Sequence, residues 1–274
     1  MRVSVPASSA NLGPGFDALG LALEMPFVVS DEYDDTMLLM ERTHPAYVSF
    51  LEAGGVVELL WRSPIPPGRG MGFSGAARVA GAFLAFLHAD MAEAEARLAA
   101  LWLAATLEGH PDNAAASALG GFTVASGGRA INVPIAFDAK VVVWWPDSET
   151  ATNKSRAVLP PQVSFVDAVF NIGRTGLLVA ALATGDKEAI RIATEDQLHQ
   201  GARCALSPVS AETLKMLLVA RPLGVWLGGS GPTVAALVEP NDADRVAAAL
   251  PRDGHFRILD INHKGAQVLE PGNS

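Results

Sequence analysis

A chain of 274 residues, half of them hydrophobic and 18% charged, is long enough to bury a substantial core and too apolar to stay disordered. Its 29 acidic against 20 basic residues, a formal net charge of −9, argue against a sequence-independent grip on nucleic acid. One cysteine, Cys204, excludes an internal disulfide framework and a multi-cysteine metal site.

In chain order, Val3 and Val5 alternate with polar neighbours and predict a short strand that stops at Pro6. The cluster Ser8 to Gly15 that follows is rich in turn formers and reads as a structured loop ending in Phe16-Asp17. Pro26 to Phe50 is acidic and irregular, with no element assigned. Val56 to Trp61 reads as a strand. It leads through a Pro/Gly loop into an Ala-rich helix from about Ser74 to Leu87. A second helix is expected from about Glu93 to Leu107, with Leu98, Leu101, Trp102 and Ala105 as its apolar stripe. Glu108 to Asn113 breaks it, because Gly109 and Pro111 cannot comfortably continue a helix. A short helix through Ala118, a Gly120-Gly121 turn and a strand from Phe122 to Ala125 complete this part.

Lys140 to Trp145 is a buried strand, and the boundary between an N-terminal part, residues 1–136, and a C-terminal part, 137–274, falls beside it. Helices are expected over Val166 to Ala183, Lys187 to Gln197 and Ala211 to Ala220. A strand-loop-strand follows at Gly224 to Val238, then a helix near Ala243 to Leu250 and a frayed tail from Glu270 to Ser274. The mixture is α+β or α/β. No apolar run approaches the ~18 residues of a membrane span, the longest being Val79 to Leu87. The opening MRVSVPASSANLG has no apolar segment of a signal peptide. A cytoplasmic enzyme with a small-molecule substrate, and neither nucleic acid nor membrane as partner, is the expectation.

Two stretches are chemically loaded. Pro66, Gly68, Arg69, Gly70, Gly72, Ser74 and Gly75 form a glycine-rich loop running into a helix. Glycines allow close backbone approach, and the helix N-terminus presents free N–H groups, so a polyphosphate is the natural occupant; a plain helix-start turn is the alternative. No Gly-Lys-Ser/Thr or Gly-x-Ser-x-Gly occurs. Gly70-x-Gly72-x-x-Gly75 matches the dinucleotide fingerprint, but Pro66-Pro67 precede it and no acidic residue ends a second strand downstream. The second stretch, Glu108-Gly109-His110-Pro111-Asp112-Asn113, gathers two carboxylates, an imidazole and an amide at a helix end. Glu108 with a serine hydroxyl from the loop suits Mg²⁺ carried on ATP. A cap on the next helix is the alternative for Asp112 or Asn113, and a structural histidine the alternative for His110.

On four stretches the chain resembles the GHMP kinases, and within them the homoserine kinase branch: VPASSANLGPGFDALGLAL; EGHPDNAAASALGGF; DAVFNIGRTGLLVAALATGD with EDQLHQGARCAL; and WLGGSGPTVAALV. TNKSRAVLP has the same look. The resemblance implies an α+β, two-domain kinase whose N-terminal domain carries the phosphate loop and whose C-terminal domain is ferredoxin-like. It implies ATP and Mg²⁺ as cofactors, a hydroxylated amino acid as acceptor and a possible homodimer. By the same carry-over Asn11, Asp17, His110, Arg203, Gly229 and Ser230 bind the acceptor, with Asp17 on an ammonium and Arg203 on a carboxylate. Ser74 and Glu108 hold the metal. Asn113 and Arg203 act in catalysis, with Asp112 the candidate base. Two departures stand out. Phe73 occupies a position where the family carries a hydroxyl, and Gly201-Ala202 stands where Pro-Tyr precedes the arginine. The first removes a phosphate or metal contact; the second takes an aromatic wall from the acceptor pocket. A kinase for another small hydroxy acid, or a catalytically weak nucleotide-binding relative, are the alternatives.

Overall fold

The computed structural model describes residues 1–149 and 152–270, so most of the expected frayed tail lies outside the described residues. The first half runs β1 (Arg2–Ala10), β2 (Leu19–Ser30), β3 (Leu38–Leu39), α1 (Pro45–Glu52), β4 (Leu60–Arg62), α2 (Phe73–His88), α3 (Glu93–Glu108), α4 (Asp112–Leu119), β5 (Phe122–Ser126) and β6 (Arg129–Val133). The second runs β7 (Lys140–Trp145), α5 (Thr152–Ala157), α6 (Phe165–Thr184), α7 (Lys187–Ala193), α8 (Gln200–Cys204), α9 (Pro208–Val219), β8 (Gly224–Leu227), β9 (Val234–Val238), α10 (Ala243–Ala247), β10 (His255–Asp260) and β11 (Gln267–Val268).

The first sheet has the order β11-β1-β2-β4-β3, with β5 on the other end of long β2 and β6 on β5. β1 does not stop at Pro6. It continues to Ala10, and the ladder slips between Pro6 and Ala7, where Pro6 faces Pro26. A bulge is where two residues without an N–H do least damage to a ladder. The strand expected at Val56 to Trp61 shrinks to Leu60–Arg62, because both neighbouring strands run out at Leu60, which faces the last residue of β2, Ser30, and of β3, Leu39; Val56 is 88% exposed. The segment left unassigned supplies most of β2, then β3 and α1.

α2 buries Ala76, Val79, Ala80, Phe83 and Leu84. Its small residues let it lie close to α1; a Cβ on Gly81 would stand 1.9 Å from the Ala46 carbonyl oxygen. The buried stripe of α3 is Ala96, Ala100, Leu101, Ala104 and Ala105; it keeps Leu101 and Ala105 of the expected face, while Leu98 points outward. The alanines win because α3 packs closely on α2 and α4.

The second sheet has the order β10-β7-β9-β8, and every neighbour is antiparallel. Numbered within this half the order is 4-1-3-2, with helices between its first and second and its third and fourth strands: a ferredoxin-like arrangement, as expected. Trp144 and Trp145 point to opposite faces of β7 and join different apolar clusters. β11 leaves this half and pairs with β1 through Val3 and Val268. Contrary to the expectation from apolar runs, α6 is long and apolar enough to meet the length and hydropathy of a membrane span, with mean hydropathy 1.5. Asp167 and Arg174 interrupt it.

Phe27, His44, Trp61 and Phe73 form one ring cluster beside the glycine loop, His44 and Trp61 lying 4.6 Å apart between centroids. His44 also caps α1, its Nδ1 accepting from the Ala46 N–H at 3.2 Å. Burial, outweighing the nearby Glu41 charge, lowers its pKa from 6.5 to about 4. The folded chain therefore holds His44 neutral where the unfolded chain takes up a proton. This contribution to stability is complete above 6.5 and is lost as pH falls from 6.5 towards 4. Urea midpoints across that window should fall for the wild type, and the slope should flatten in His44→Phe.

Candidate active site

The glycine loop works by close approach. A Cβ on Gly70 would lie 2.3 Å from the Gly228 carbonyl oxygen, and one on Gly72 would lie 2.1 Å from Ser8 Oγ. Gly72, with φ +68°, is the N-cap of α2 and offers no side chain to that helix's first turn. The N–H groups at the start of a 16-residue helix are thus left for an anion. Phe73 turns its ring into the aromatic cluster, edge-on to Phe27 and Trp61. The neighbouring hydroxyl, Ser74 Oγ, donates to the Glu108 carboxylate. Arg78 Nε donates to the same oxygen at 2.9 Å. Glu108 ends α3, and Gly109 turns the chain there with φ +81°.

Across the cleft, the segment after β1 is pinned by side chains. Asn11 Oδ1 accepts from the Asp17 N–H at 3.0 Å, and Asn11 Nδ2 donates to the Gly229 carbonyl at 3.1 Å. Arg203 Nη1 donates to that carbonyl too, at 2.9 Å. Asp17 receives both ends of the Arg156 guanidinium, at 2.6 and 3.0 Å. His110 Nδ1 and Asp112 Oδ1 are 2.7 Å apart, and Asp112 also accepts from the Asn113 N–H. Asn113 Oδ1 accepts from Ser8 Oγ at 3.0 Å. Ligand atoms of Asp17, His110 and Asp112 lie within 4.8 Å of one another.

These groups line one open cleft. It is bordered by Asn11, Asp17, Gly68, Arg69, Gly70, Gly72, Ser74, Gly75, Glu108, His110, Asp112, Asn113, Arg203, Gly229 and Ser230, joined by Phe73 and Arg156. Pro66 stands outside that lining. Sequence reasoning missed three contributors. Arg156 was quoted within TNKSRAVLP without a role, although it is a cation in a short conspicuous motif. Phe16 was passed over as a turn neighbour. Its ring lies 5.0 Å from the Arg203 guanidinium carbon, 5.4 Å from that of Arg156 and 5.1 Å from the His199 ring. An aromatic wall beside Arg203 therefore persists despite Gly201-Ala202. His199 is the third: Nε2 donates to the Gly13 carbonyl at 2.7 Å, while Nδ1 faces Arg203 Nη1 at 3.3 Å.

Burial sets the electrostatics. It lowers the pKa of His199, against the opposing pull of Asp196 and the Gly13 carbonyl, so the neutral ring can donate at Nε2 and accept at Nδ1. Burial works against a charge on His110 as well, but the Asp112 carboxylate, with Asp17 and Glu108, outweighs it and raises that pKa. Arg203 is 4% exposed, and its Nε is buried with no hydrogen-bond partner among the described residues. An orphaned guanidinium N–H at a cleft wall is an open position for a ligand oxygen. Ser74 and Glu108 supply neighbouring hard oxygens beside the α2 N-terminus, a donor set that fits Mg²⁺.

A 39%-identical relative, a homoserine kinase of Desulfitobacterium hafniense, aligns over 98% of this chain and 100% of its own length. The family models for the GHMP kinases N terminal domain and GHMP kinases C terminal match residues 37–121 and 178–255. The chain belongs to the GHMP kinase family and is an ATP-dependent phosphotransferase. Within that family, homoserine kinases are among the relatives that align over nearly the whole chain. That of Streptomyces coelicolor is 39% identical over 98% of this chain and 94% of its own. The crystal structure of the Cytophaga hutchinsonii homoserine kinase superposes with a TM-score of 0.84 at 26% identity, covering 98% of this chain and 97% of the other.

His199 joins the segment bearing Asp17 to Arg203. His199→Ala should raise the acceptor KM roughly tenfold or more, the effect of losing a hydrogen bond to a charged group, and leave the ATP KM nearly unchanged. His199→Gln, which can donate and accept at similar reach, should recover part of the loss in steady-state kinetics.

Proposed function

We propose that this chain transfers the γ-phosphoryl group of ATP to the side-chain hydroxyl of L-homoserine, giving O-phospho-L-homoserine for threonine biosynthesis. One observation carries the choice of acceptor. A carboxylate, Asp17, and a buried arginine with an open N–H, Arg203, face one cleft next to a helix N-terminus. An amino acid presents the matching ammonium and carboxylate, and its hydroxyl can then point towards the phosphate loop. The homoserine kinases among the relatives support the same acceptor.

Residue roles follow from placement. Gly68, Arg69, Gly70, Gly72, Ser74 and Gly75 cradle the polyphosphate with backbone N–H groups and one cation, and Pro66 shapes the approach to the loop. Asp17 takes the ammonium while Arg156 holds its carboxylate in place. Arg203 takes the carboxylate, with Asn11, His110, Gly229 and Ser230 completing the pocket. Asn113 sits beside the reacting hydroxyl. Asp112 orients His110 and Asn113 and is the candidate base for the hydroxyl proton. Ser74 and Glu108 would hold Mg²⁺, which neutralises phosphate charge when bound. Phosphoryl transfer depends mainly on positioning and charge, so this set needs no activated nucleophile. The acceptor oxygen forms the new P–O bond, the bond to ADP breaks, and the hydroxyl proton leaves. On this reading residues 1–136 hold the nucleotide and 137–274 close the acceptor side. The enzyme is cytoplasmic and its partners are small molecules and a second copy of itself, with neither nucleic acid nor membrane.

ADP release should be measured with Mg-ATP and L-homoserine, L-threonine, pantoate, mevalonate or no acceptor. Turnover is expected with L-homoserine. Turnover confined to another acceptor reassigns the substrate, and ATP binding without any turnover favours a nucleotide-binding relative weakened at Phe73. Asp17→Asn should lower kcat/KM for the acceptor by about one to two decades, the loss expected of one charge-assisted contact. Chelation of divalent metal should abolish turnover.

A further inference from the structure

Arg203 is a buried cation whose neighbours are neutral. The Gly229 carbonyl lies 2.9 Å from Nη1, His199 Nδ1 lies 3.3 Å from it, and the Phe16 ring centroid lies 5.0 Å from the guanidinium carbon. Burial above all, and the Arg156 charge after it, push the Arg203 pKa down, against the pull of Asp17, Asp112 and Asp196. A buried charge is costly until it is paired, so the chain must hold this one in place by other means until a ligand anion arrives.

Arg156 shares the same ring. Its guanidinium carbon is 5.4 Å from the Phe16 centroid, and its two terminal nitrogens meet the Asp17 carboxylate at 2.6 and 3.0 Å. Consecutive residues thus grip one cation, Phe16 by its ring and Asp17 by its carboxylate. Both guanidiniums fall inside the ~6 Å reach of a cation–π contact. The turn that presents the ring is itself fixed. Asp17 is left-handed, with φ +57°, and Asn11 Oδ1 holds its N–H. The N–H groups of Ala18 and Leu19 both donate to the Gly15 carbonyl, and the His199 ring stands 5.1 Å from that of Phe16.

A ring does here what a carboxylate could not. A carboxylate beside Arg203 would neutralise it and take the N–H edges that a ligand needs. An aromatic face attracts a cation through its quadrupole and leaves those edges unfilled. The guanidinium donors lie in its own plane, and Arg203 Nε is the edge left open. The ring also gives two mutually repelling cations a common neutral support.

We propose that Phe16 is the positioning residue that sets the acceptor class: its ring holds the Arg203 and Arg156 guanidiniums and leaves Arg203 open for a carboxylate on the acceptor. The inference rests on reading the cleft as an amino-acid site and names the residue that enforces that choice. An aliphatic side chain of similar bulk fills the same space without attracting either cation.

Steady-state kinetics with Mg-ATP test it. L-homoserine is the substrate; propanolamine, which is homoserine without its carboxylate, is followed as substrate or competitive inhibitor. L-homoserine is also titrated calorimetrically into the protein with Mg-ADP. Phe16→Leu should raise the KM and the dissociation constant for L-homoserine about tenfold or more, the weight of a desolvated cation–π contact. The ATP KM and the far-UV circular dichroism should stay as in the wild type. The preference for L-homoserine over propanolamine should fall by a similar factor, and Phe16→Tyr, which keeps the ring, should recover most of both losses. Mono-, di- and trifluorophenylalanine placed at position 16 drain charge from the ring face at nearly constant volume, and should raise the KM in steps. Phe137→Leu, which removes a cation–π contact to Lys187 at 5.2 Å outside the cleft, should change neither constant. A wild-type acceptor KM in Phe16→Leu, a flat fluorine series, or equal weakening of L-homoserine and propanolamine overturns the proposal, since the ring would then only fill space. So does a Phe16→Tyr protein as impaired as Phe16→Leu. A wild type that neither binds nor turns over L-homoserine overturns the amino-acid reading of the cleft and this inference with it; one that does both, with a flat fluorine series, overturns this inference alone.

Discussion

Three stretches of backbone meet where almost no side chain can stand. Gly70 lies against the carbonyls of Gly228 and Gly231, and Gly72 lies against Ser8. The Thr233 N–H donates to the Arg69 carbonyl, and the Ser8 N–H to that of Met71. This junction joins the phosphate loop, the first strand and the β8–β9 connection, which belong to different sheets. A single Cβ at Gly70 would push the loop from the second sheet. The α2 N-terminus and the wall that carries Asp17 and Arg203 would then no longer border one cleft. Everything chemical in the molecule depends on that contact, because phosphoryl transfer is a matter of placing two bound groups against each other.

Around the junction the polar groups divide into two kinds. Some are fully engaged within the chain: Asn11 uses both ends of its amide, and Trp226 Nε1 donates to Ser9 Oγ at 2.8 Å. Buried groups of this kind cost little once paired and make the arrangement specific. Others keep capacity in reserve. Arg203 is held by Gly229 and His199 through one nitrogen while its Nε stays open. A guanidinium anchored at one corner and free at another is pre-oriented for a ligand, so binding need not first order a long side chain.

The departures from the family pattern are absorbed by neighbours. Phe73 leaves the phosphate loop for an aromatic cluster with Phe27, His44 and Trp61, and Ser74 alone serves Glu108. Where Pro-Tyr is missing before Arg203, the ring comes from Phe16, far away in the chain but adjacent in space. Only beside Arg203 is an aromatic ring next to a charged group supplied from a distant chain position.

Local chemistry made much of this legible from the sequence. The glycine loop, the Glu108 to Asn113 corner, the long helices α2, α3 and α6 and the strand β7 follow from spacing, glycine and proline placement and apolar periodicity, which act over a few residues. Family resemblance added the ferredoxin-like order of the second sheet. What needed the tertiary structure was whatever depends on a partner distant in the chain. β1 runs past Pro6 because β2 carries Pro26 opposite it. Val56 stays outside β4 because β2 and β3 both end opposite Leu60. The stripe of α3 is set by its packing on α2 and α4, and Leu98 loses its place to alanines. Arg156 and His199 acquire roles only through Asp17 and Gly13, 139 and 186 residues away. The apolar outer face of α6 reads in the sequence as one more core helix; only packing reveals which side the core leaves uncovered.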